Sequence, residues 1–425
     1  PTFGGGTRSA ELTLPGFVHD VCSAVHPFGR CSPAWRGFPL ERHGLKWIVS
    51  PVPLAHPFDD GDAAVSNDLA RRFLRPLVAG WDELAADILG PLRPPRHPLL
   101  YARFGMLAPW PAAALARAMY RDPKQRALFG GIAAHSIVPL NSPLSSAIAW
   151  PLWLAGQSAG WPIPQGGAQK IADALGCYLR SLGGRIVTSH RVKSLRELGD
   201  GDVILADLTP RQLVDIAGAE MPASYTRRLR RFRFGPGVFQ MDWALSGPIP
   251  WTAPQCAKAC TVHLCGTLEE IEASEIAPWK GEHERRPFIL LAQPTLFDDT
   301  RAPQGKHIAW AYCHVPNAST VDMSDRIEEQ VERFAPGFRS LIIGRSKMNS
   351  LDLQARNENL QGGDVAGGAM TVSQFFLRPT VSMYRTPRRG LYLCSSSTPP
   401  GAGVHGMCGY QAARAALHDL GVDME

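Results

Sequence analysis

One titratable side chain, His405, sits inside the glycine-rich run Gly401-Ala-Gly-Val-His-Gly-Met407 near the end of the 425-residue chain. A histidine at a helix start can exchange a proton near neutral pH, because its ordinary pKa is about 6.5. It can equally be a polar filler that hydrogen-bonds a backbone carbonyl, and its type and position leave both roles open. The glycines admit dihedrals closed to other residues and let a ligand approach the backbone. Where such a loop turns into a helix, unpaired N–H groups and the positive dipole end suit an anion or the electron-rich edge of a cofactor. Gly401, Gly403 and Gly406 spell G-x-G-x-x-G, but that fingerprint belongs to a βαβ unit with an acid about 20 residues further on. Glu425 comes first, so the match misleads.

Other chemistries find little support. None of the nine cysteines forms C-x-x-C, which counts against dithiol redox work. Their odd number points to free thiols in a reducing compartment. His19, Cys22, His26 and Cys31, like Cys256, Cys260, His263 and Cys265, are spaced wrongly for zinc and are expected to be core thiols and satisfied histidines. The sequence has no G-x-S-x-G, no H-E-x-x-H and no paired carboxylates at useful spacing. A site without a nucleophile and base suits chemistry carried by a cofactor. The formal net charge, 44 − 38 = +6, makes no case for nucleic acid. No apolar run reaches the length of about 18 residues that spans a bilayer.

The elements around these residues follow from periodicity. Leu391 to Cys394 is an apolar run suited to a strand buried on both faces. Ser395 to Gly403, with Pro399 and Pro400, cannot continue it. Val404, Met407, Cys408, Ala412, Ala415 and Ala416 then recur at helical spacing. Near the other end, Gly4-Gly5-Gly6-Thr7-Arg8 is either a surface turn or a place of close ligand approach. A helix with the stripe Ile171, Ala174, Leu175, Tyr178, Leu179 and Leu182 stops at Gly183 and Gly184. Strands are expected at Arg185–Thr188, around Val192 and at Val203–Ala206. Residues from about Asp62 read as helical. Trp150, Trp153 and Trp161 could line a channel for a greasy substrate or dip into a membrane surface; the favoured reading is a buried helix pair interrupted by Pro151 and Gly160. Arg227, Arg228, Arg230, Arg231 and Arg233 read as a solvated helix face. Strand-like runs, including Val238–Ala244 and Phe288–Ala292, fill 234–310, and Ile327–Phe338 reads as a short helix. Gly363, Gly367 and Gly368 suggest close backbone approaches.

The stretch from Gly390 to Ala416 closely resembles the C-terminal flavin-binding motif of the phytoene-dehydrogenase-like flavoprotein oxidoreductases. These include the carotenoid desaturases and the pyridine nucleotide-disulfide oxidoreductase domain-containing proteins. The resemblance runs from Gly4–Arg8 to the C-terminal motif. It implies an α/β fold with a discontinuous, Rossmann-like FAD/NAD(P)-binding domain (1–60, 161–215 and 376–425) and an inserted α+β substrate domain (61–160 and 216–375). It implies FAD as cofactor, touched by Gly5, Gly6, Thr7, Arg8, the Val192 backbone, Gly401, Gly403, Val404, His405, Gly406 and Met407, with His405 as the catalytic side chain and no metal. The implied activity is hydride transfer from an apolar or amphipathic small molecule to flavin, with an unspecified electron acceptor. A flavin-dependent isomerase and a non-catalytic scaffold that keeps the fold are the alternatives. Amine oxidases usually place an acid after the corresponding strand; Ser395, Ser396 and Ser397 stand here and favour the desaturase side. The expected partners are a small molecule, a peripheral membrane contact and a second copy of the chain, with no nucleic acid. The expected location is cytoplasmic or membrane-associated. In the family a βαβ unit of roughly 30 residues precedes the first glycine cluster. Its absence before Gly4 carries the expectation that this chain alone holds FAD weakly.

Overall fold

The computed structural model describes residues 2–199, 201 and 203–422. In chain order its strands are β1 (Ser9–Glu11), β2 (Val18–Asp20), β3 (Trp47–Ile48), β4 (Val52–Pro57), β5 (Ala63–Val65), β6 (Ile163–Pro164), β7 (Ile204–Ala206), β8 (Gly237–Leu245), β9 (Ala259–Leu264), β10 (Ile289–Ala292), β11 (His307–Val315), β12 (Ile342–Met348) and β13 (Leu391–Leu393). The helices that position the site are α1 (Arg75–Ala79), α2 (Trp81–Ile88), α3 (Pro98–Gly105), α4 (Ala112–Met119), α5 (Pro123–Ala134), α6 (Ser146–Ala159), α7 (Gln169–Ser181), α8 (Pro210–Ala217), α9 (Ala223–Arg230), α10 (Leu268–Ile276), α11 (Ser324–Phe334) and α12 (Met407–Asp419).

Seven strands form one sheet in the order β12-β8-β11-β10-β9-β4-β5. All neighbours are antiparallel except β4 and β9, which run parallel. Alternation gives the sheet two unlike faces. Ala309, Ala311, Cys313 and Val315 of β11 pack with Ile327, Val331 and Phe334 of α11 in a dry core. The register places Gln240 opposite Tyr312, Asp242 opposite Trp310, and His263 opposite Leu290 on the other face. That second face is rich in hydrogen-bonding side chains, so it must meet partners rather than oil.

Helices α1 to α6 form a second core around Trp81, Phe129, Trp150 and Trp153. Gly130 and Gly131 let α5 lie close to its neighbours. A Cβ at Gly130 would stand 2.6 Å from Leu268 of α10, and one at Gly131 would stand 2.9 Å from Nδ1 of His263. Helical glycine costs about 1 kcal/mol relative to alanine, so this close approach is what the residue supplies. The tryptophan region departs from expectation, because α6 is one helix that runs through Pro151 and ends at Gly160. Burial of Trp150, Trp153 and Leu154 outweighs the roughly 3 kcal/mol that an interior proline costs. Trp150, Trp153 and Trp161 are all buried, so they form no outer surface.

The parallel pair β7–β13 has Leu391 opposite Ile204 and Leu393 opposite Ala206. Helix α8 covers one side through Leu213, Val214 and Ala217; α12 covers the other through Ala412, Ala415 and Ala416. Gly183 and Gly184 close α7 with bonds back to the Arg180 and Leu179 carbonyls. The strands expected at Arg185–Thr188 and around Val192 do not form; 185–192 is mostly exposed and lacks a strand to pair with. Strand β4 joins the large sheet with Val52 opposite Ala259 and Leu54 opposite Thr261. The arginines of α9 and its C-terminal flank are exposed, as their spacing suggested.

Candidate glycine-loop site

Between β13 and α12 the loop is built by backbone ties. Ser395 Oγ donates to the Leu208 carbonyl at 2.7 Å, and Ser397 Oγ donates to Gly367 at the same distance. Buried Arg378 donates to the carbonyls of Ala366, Gly368 and Ser396, gathering 366–368 against 396. Asp364 fixes the same corner by accepting the N–H groups of Gly235, Ala366 and Gly368. Gly363, Gly367 and Gly368 are close approaches, but to Ser350, Ser396 and Phe232 of this chain. Arg378 escapes sequence inspection because it lies in no recognisable motif, whereas Asp364 sits inside the 362–368 glycine segment, where only the glycines drew attention.

The loop then opens to solvent. Gly401, Gly403 and Gly406 have φ of 106°, 132° and 66°. Ala402, Gly403 and Gly406 are exposed, while Gly401, His405 and Met407 are buried and Val404 is half-buried. A Cβ at Gly403 would stand 2.9 Å from His405 and 3.2 Å from Phe28. His405 Nδ1 accepts the Met407 N–H at 3.0 Å, which assigns the ring proton to Nε2. Nε2 is buried and makes no hydrogen bond. Burial lowers the His405 pKa to about 4, with the nearby Ala402 and Gly401 carbonyls pulling the other way. The ring is therefore neutral at pH 7. Its Nδ1 is committed to the first N–H of α12.

At the other glycine cluster, Gly5–Thr7 is one 3-10 turn. Thr7 returns both its N–H and its hydroxyl to the Gly4 carbonyl. Ser23 holds the Gly6 carbonyl in the same way. Arg8 donates from Nε to Gly5 and from Nη2 to the Arg356 carbonyl. Val192 is half-buried on the coil after α7, and its neighbour Arg191 pairs with Glu358. The adjoining Asn357 Nδ2 stands 3.6 Å from where a Gly5 Cβ would be. Segment 356–358 therefore brings the surroundings of Val192 to the first glycine turn.

Helix α7 and residues 22–28 join the two loops. A Cβ at Gly4 would reach Ala172 at 3.0 Å, while Val404 packs beside Ile171 and Ala174 on the same helix. Ala24 and Val25 lie over Leu290, Trp310 and Tyr312 on the polar sheet face. Phe28 meets His405 at 6.3 Å between ring centroids. Cys22 and Tyr312 are half-buried, and burial raises both pKa values, Cys22 to about 11. His26 is buried with neither ring nitrogen hydrogen-bonded, which overturns the expectation of a satisfied histidine. Burial lowers its pKa to about 4.

A buried ionic cluster surrounds β2. Asp20 meets Arg301 at 2.9 Å and also accepts from Ser9 Oγ and the Ala168 N–H, which ties β2 to the start of α7. His19 Nδ1 lies 3.5 Å from Asp242 Oδ1. Burial lowers the His19 pKa to about 4 and raises that of Asp242 well above the usual carboxylate range. Along the face, His135 meets His263 at 3.0 Å, and Glu275 holds His314 at 2.8 Å. Trp310, Tyr312 and His314 alternate along β11, a period-2 pattern of polar and aromatic side chains that is legible in the sequence. Two further cavities, of about 180 and 350 Å³, are lined around Leu140 and Glu272 and around Asp322 and Arg345; neither touches the glycine loops. Among the described residues no group of histidine, cysteine or acid could hold a metal ion.

The loops fit an extended cofactor, with open positive-φ glycines at a helix start and two buried imidazoles with unused ring nitrogens. No protein-family model matches the chain. It is 28% identical over 308 residues to pyridine nucleotide-disulfide oxidoreductase domain-containing protein 2 of Rattus norvegicus, covering 63% of this chain and 53% of that protein. The matched stretch thus spans about half of that relative's length. A shorter likeness, 31% over 86 residues, covers 20% of this chain and 16% of a limonene dehydrogenase subunit of Castellaniella defragrans. The fold is shared with an oxidoreductase from Methanosarcina mazei at TM-score 0.63 and 16% identity, over 98% of this chain and 92% of that one. A redesigned putrescine oxidase gives TM-score 0.60 at 15% identity, over 98% and 91% of the two chains.

Proposed function

We propose that this chain is an FAD-dependent oxidoreductase of the phytoene-dehydrogenase-like kind, acting on an apolar or amphipathic small molecule. The observation that carries the reading is the loop at the head of α12, where Gly403 and Gly406 are exposed at positive φ and Phe28 stands beside Gly403 and His405. When bound, FAD supplies the acceptor for a hydride. The chain's own residues bind and orient. Gly401, Gly403 and Gly406 keep the backbone bare, Val404 packs on α7, and Met407 anchors the helix start in the core. Gly5, Gly6, Thr7 and Arg8, with the coil at Val192, form the second contact region, bridged by 356–358. His405 serves as a neutral group with its proton on Nε2, and not as a base. Ser395 and Ser397 spend their hydroxyls on carbonyls, and 391–407 offers no carboxylate, which favours dehydrogenation of a carbon skeleton over amine oxidation. The partial relative named for limonene, a hydrocarbon, agrees with an apolar substrate.

The test is titration of FAD into the purified chain, followed by quenching of flavin fluorescence. Saturable binding is expected for the parent, with severe loss in Gly403→Val. A β-branched residue at φ 132° is strained by about 1–3 kcal/mol before its contacts with His405 and Phe28 are counted. Undiminished flavin content in a folded Gly403→Val protein would sink the assignment.

A further inference from the structure

We infer that His26 is a cofactor-contacting residue whose ring exchanges hydrogen bonds with the neutral, flavin half of FAD. This role rests on the flavin reading above and extends it to a residue in neither glycine loop. Segment 23–32 runs from one loop to the other. At its start Ser23 gives both its N–H and its hydroxyl to the Gly6 carbonyl. At its end Ser32 Oγ donates to the His405 carbonyl. Between these ties the His26 N–H donates to the Pro162 carbonyl, and Arg30 donates to the Ala159 carbonyl. Pro27 then opens the short turn Pro27–Arg30. His26 thus stands midway along a segment that holds both loops, on a backbone with little freedom to move.

The residue is 2% exposed, and among the described residues neither Nδ1 nor Nε2 has a hydrogen-bond partner. Buried polar side chains are nearly always bonded, so an imidazole orphaned at both nitrogens points to a group that the protein does not itself supply. The surroundings select that group. Burial keeps the ring neutral at pH 7, while the nearby charges of Asp20 and Arg301 pull in opposite directions. The indole of Trp47 lies 6.2 Å away between ring centroids. A neutral imidazole carries one donor and one acceptor. That pair suits the rim of a flavin, with its carbonyl and N–H groups, or the hydroxyls of the ribityl chain. It does not suit the pyrophosphate, which calls for a cation such as Arg8 at the first glycine turn. His405, whose ring meets Phe28 two residues further on, leaves its Nε2 equally unpaired.

The experiment compares the full chain, stripped of flavin, with His26→Leu and His26→Asn. Leucine fills a similar volume and carries no polar atom, so it removes both orphaned nitrogens without breaking a bond within the protein. The urea midpoint of flavin-free His26→Leu should therefore equal or exceed the parent's. Its FAD affinity, read by quenching of flavin fluorescence, should fall about 10-fold, the loss expected for one or two neutral hydrogen bonds. His26→Asn keeps a donor and an acceptor and should recover part of that loss. ADP, which carries adenine and pyrophosphate without the flavin, should compete equally well in the parent and in His26→Leu. Undiminished FAD affinity in His26→Leu, beside a parent that binds, would overturn the inference and leave the flavin reading standing. Equal losses for FAD and ADP, or a lowered urea midpoint, would also overturn it, because a distorted segment moves all of these together. A parent that fails to bind FAD removes the flavin reading and the role of His26 with it.

Discussion

The His405 ring offers a quantitative check on the glycine loop. Its pKa of about 4 in the folded chain lies below its ordinary value of about 6.5. The folded state therefore binds fewer protons than the unfolded state between those values. Stability is complete above about pH 6.5 and is lost as pH falls towards 4. At pH 5 the linkage gives about 2 kcal/mol from this one ring, against about 0.2 kcal/mol at pH 7. The substitution to make is His405→Asn. The Asn Oδ1 can take over the acceptor position of Nδ1 and keep the Met407 N–H satisfied, while nothing at the position titrates. Urea unfolding of both proteins at pH 7 and pH 5, followed by tryptophan fluorescence and far-UV circular dichroism together, supplies the numbers. The parent should lose about 2 kcal/mol more than His405→Asn over this interval, whatever the absolute difference at pH 7. Other buried groups, such as His26 and Asp242, titrate in both proteins and cancel in the comparison. Parallel losses in the two proteins would show that His405 is not held neutral by burial.

Two further outcomes follow from the buried cluster and the thiols. Arg301→Met leaves Asp20 buried without its cation and should cost about 3–5 kcal/mol, read as a lower urea midpoint; a change below about 1 kcal/mol would refute the pairing. Iodoacetamide at pH 7.5 should label exposed Cys177 first, while Cys22, raised to about 11 by burial, reacts only as pH approaches that value, as peptide mapping would show.

The sequence revealed most where a period or a glycine dictates local geometry. The Leu391–Leu393 strand, the loop after it and the α12 stripe could be read directly, because apolar runs and positive-φ glycines act within a few residues. The Gly183–Gly184 stop was equally local. Strands at Arg185–Thr188 and Val192 failed because a strand exists only through its neighbour, and no pairing reaches that coil. Pro151 misled because core burial around Trp150 and Trp153 outweighs one lost hydrogen bond. The Asp20–Arg301 pair joins residues 281 positions apart, so no window could hold both. Gly5, Arg8 and Val192 were each identifiable, but the Arg356–Glu358 bridge between their surroundings is purely tertiary.

The parallel pairing of β4 with β9 also bears on the order in which the chain can fold. Residues 52–57 cannot find their parallel neighbour until 259–264 has been synthesised, roughly 200 residues later. At the usual pace of about 5–20 residues per second, that interval lasts roughly 10–40 s. Helices α1 to α6, built mainly from local contacts, can assemble during it. The β4 strand, whose Leu54 and Ala55 are wholly buried in the finished sheet, meanwhile waits with only β5 beside it. Synthesis of this protein therefore includes a period in which an apolar strand edge stands open to any other nascent chain nearby, and during which a chaperone is most useful to it.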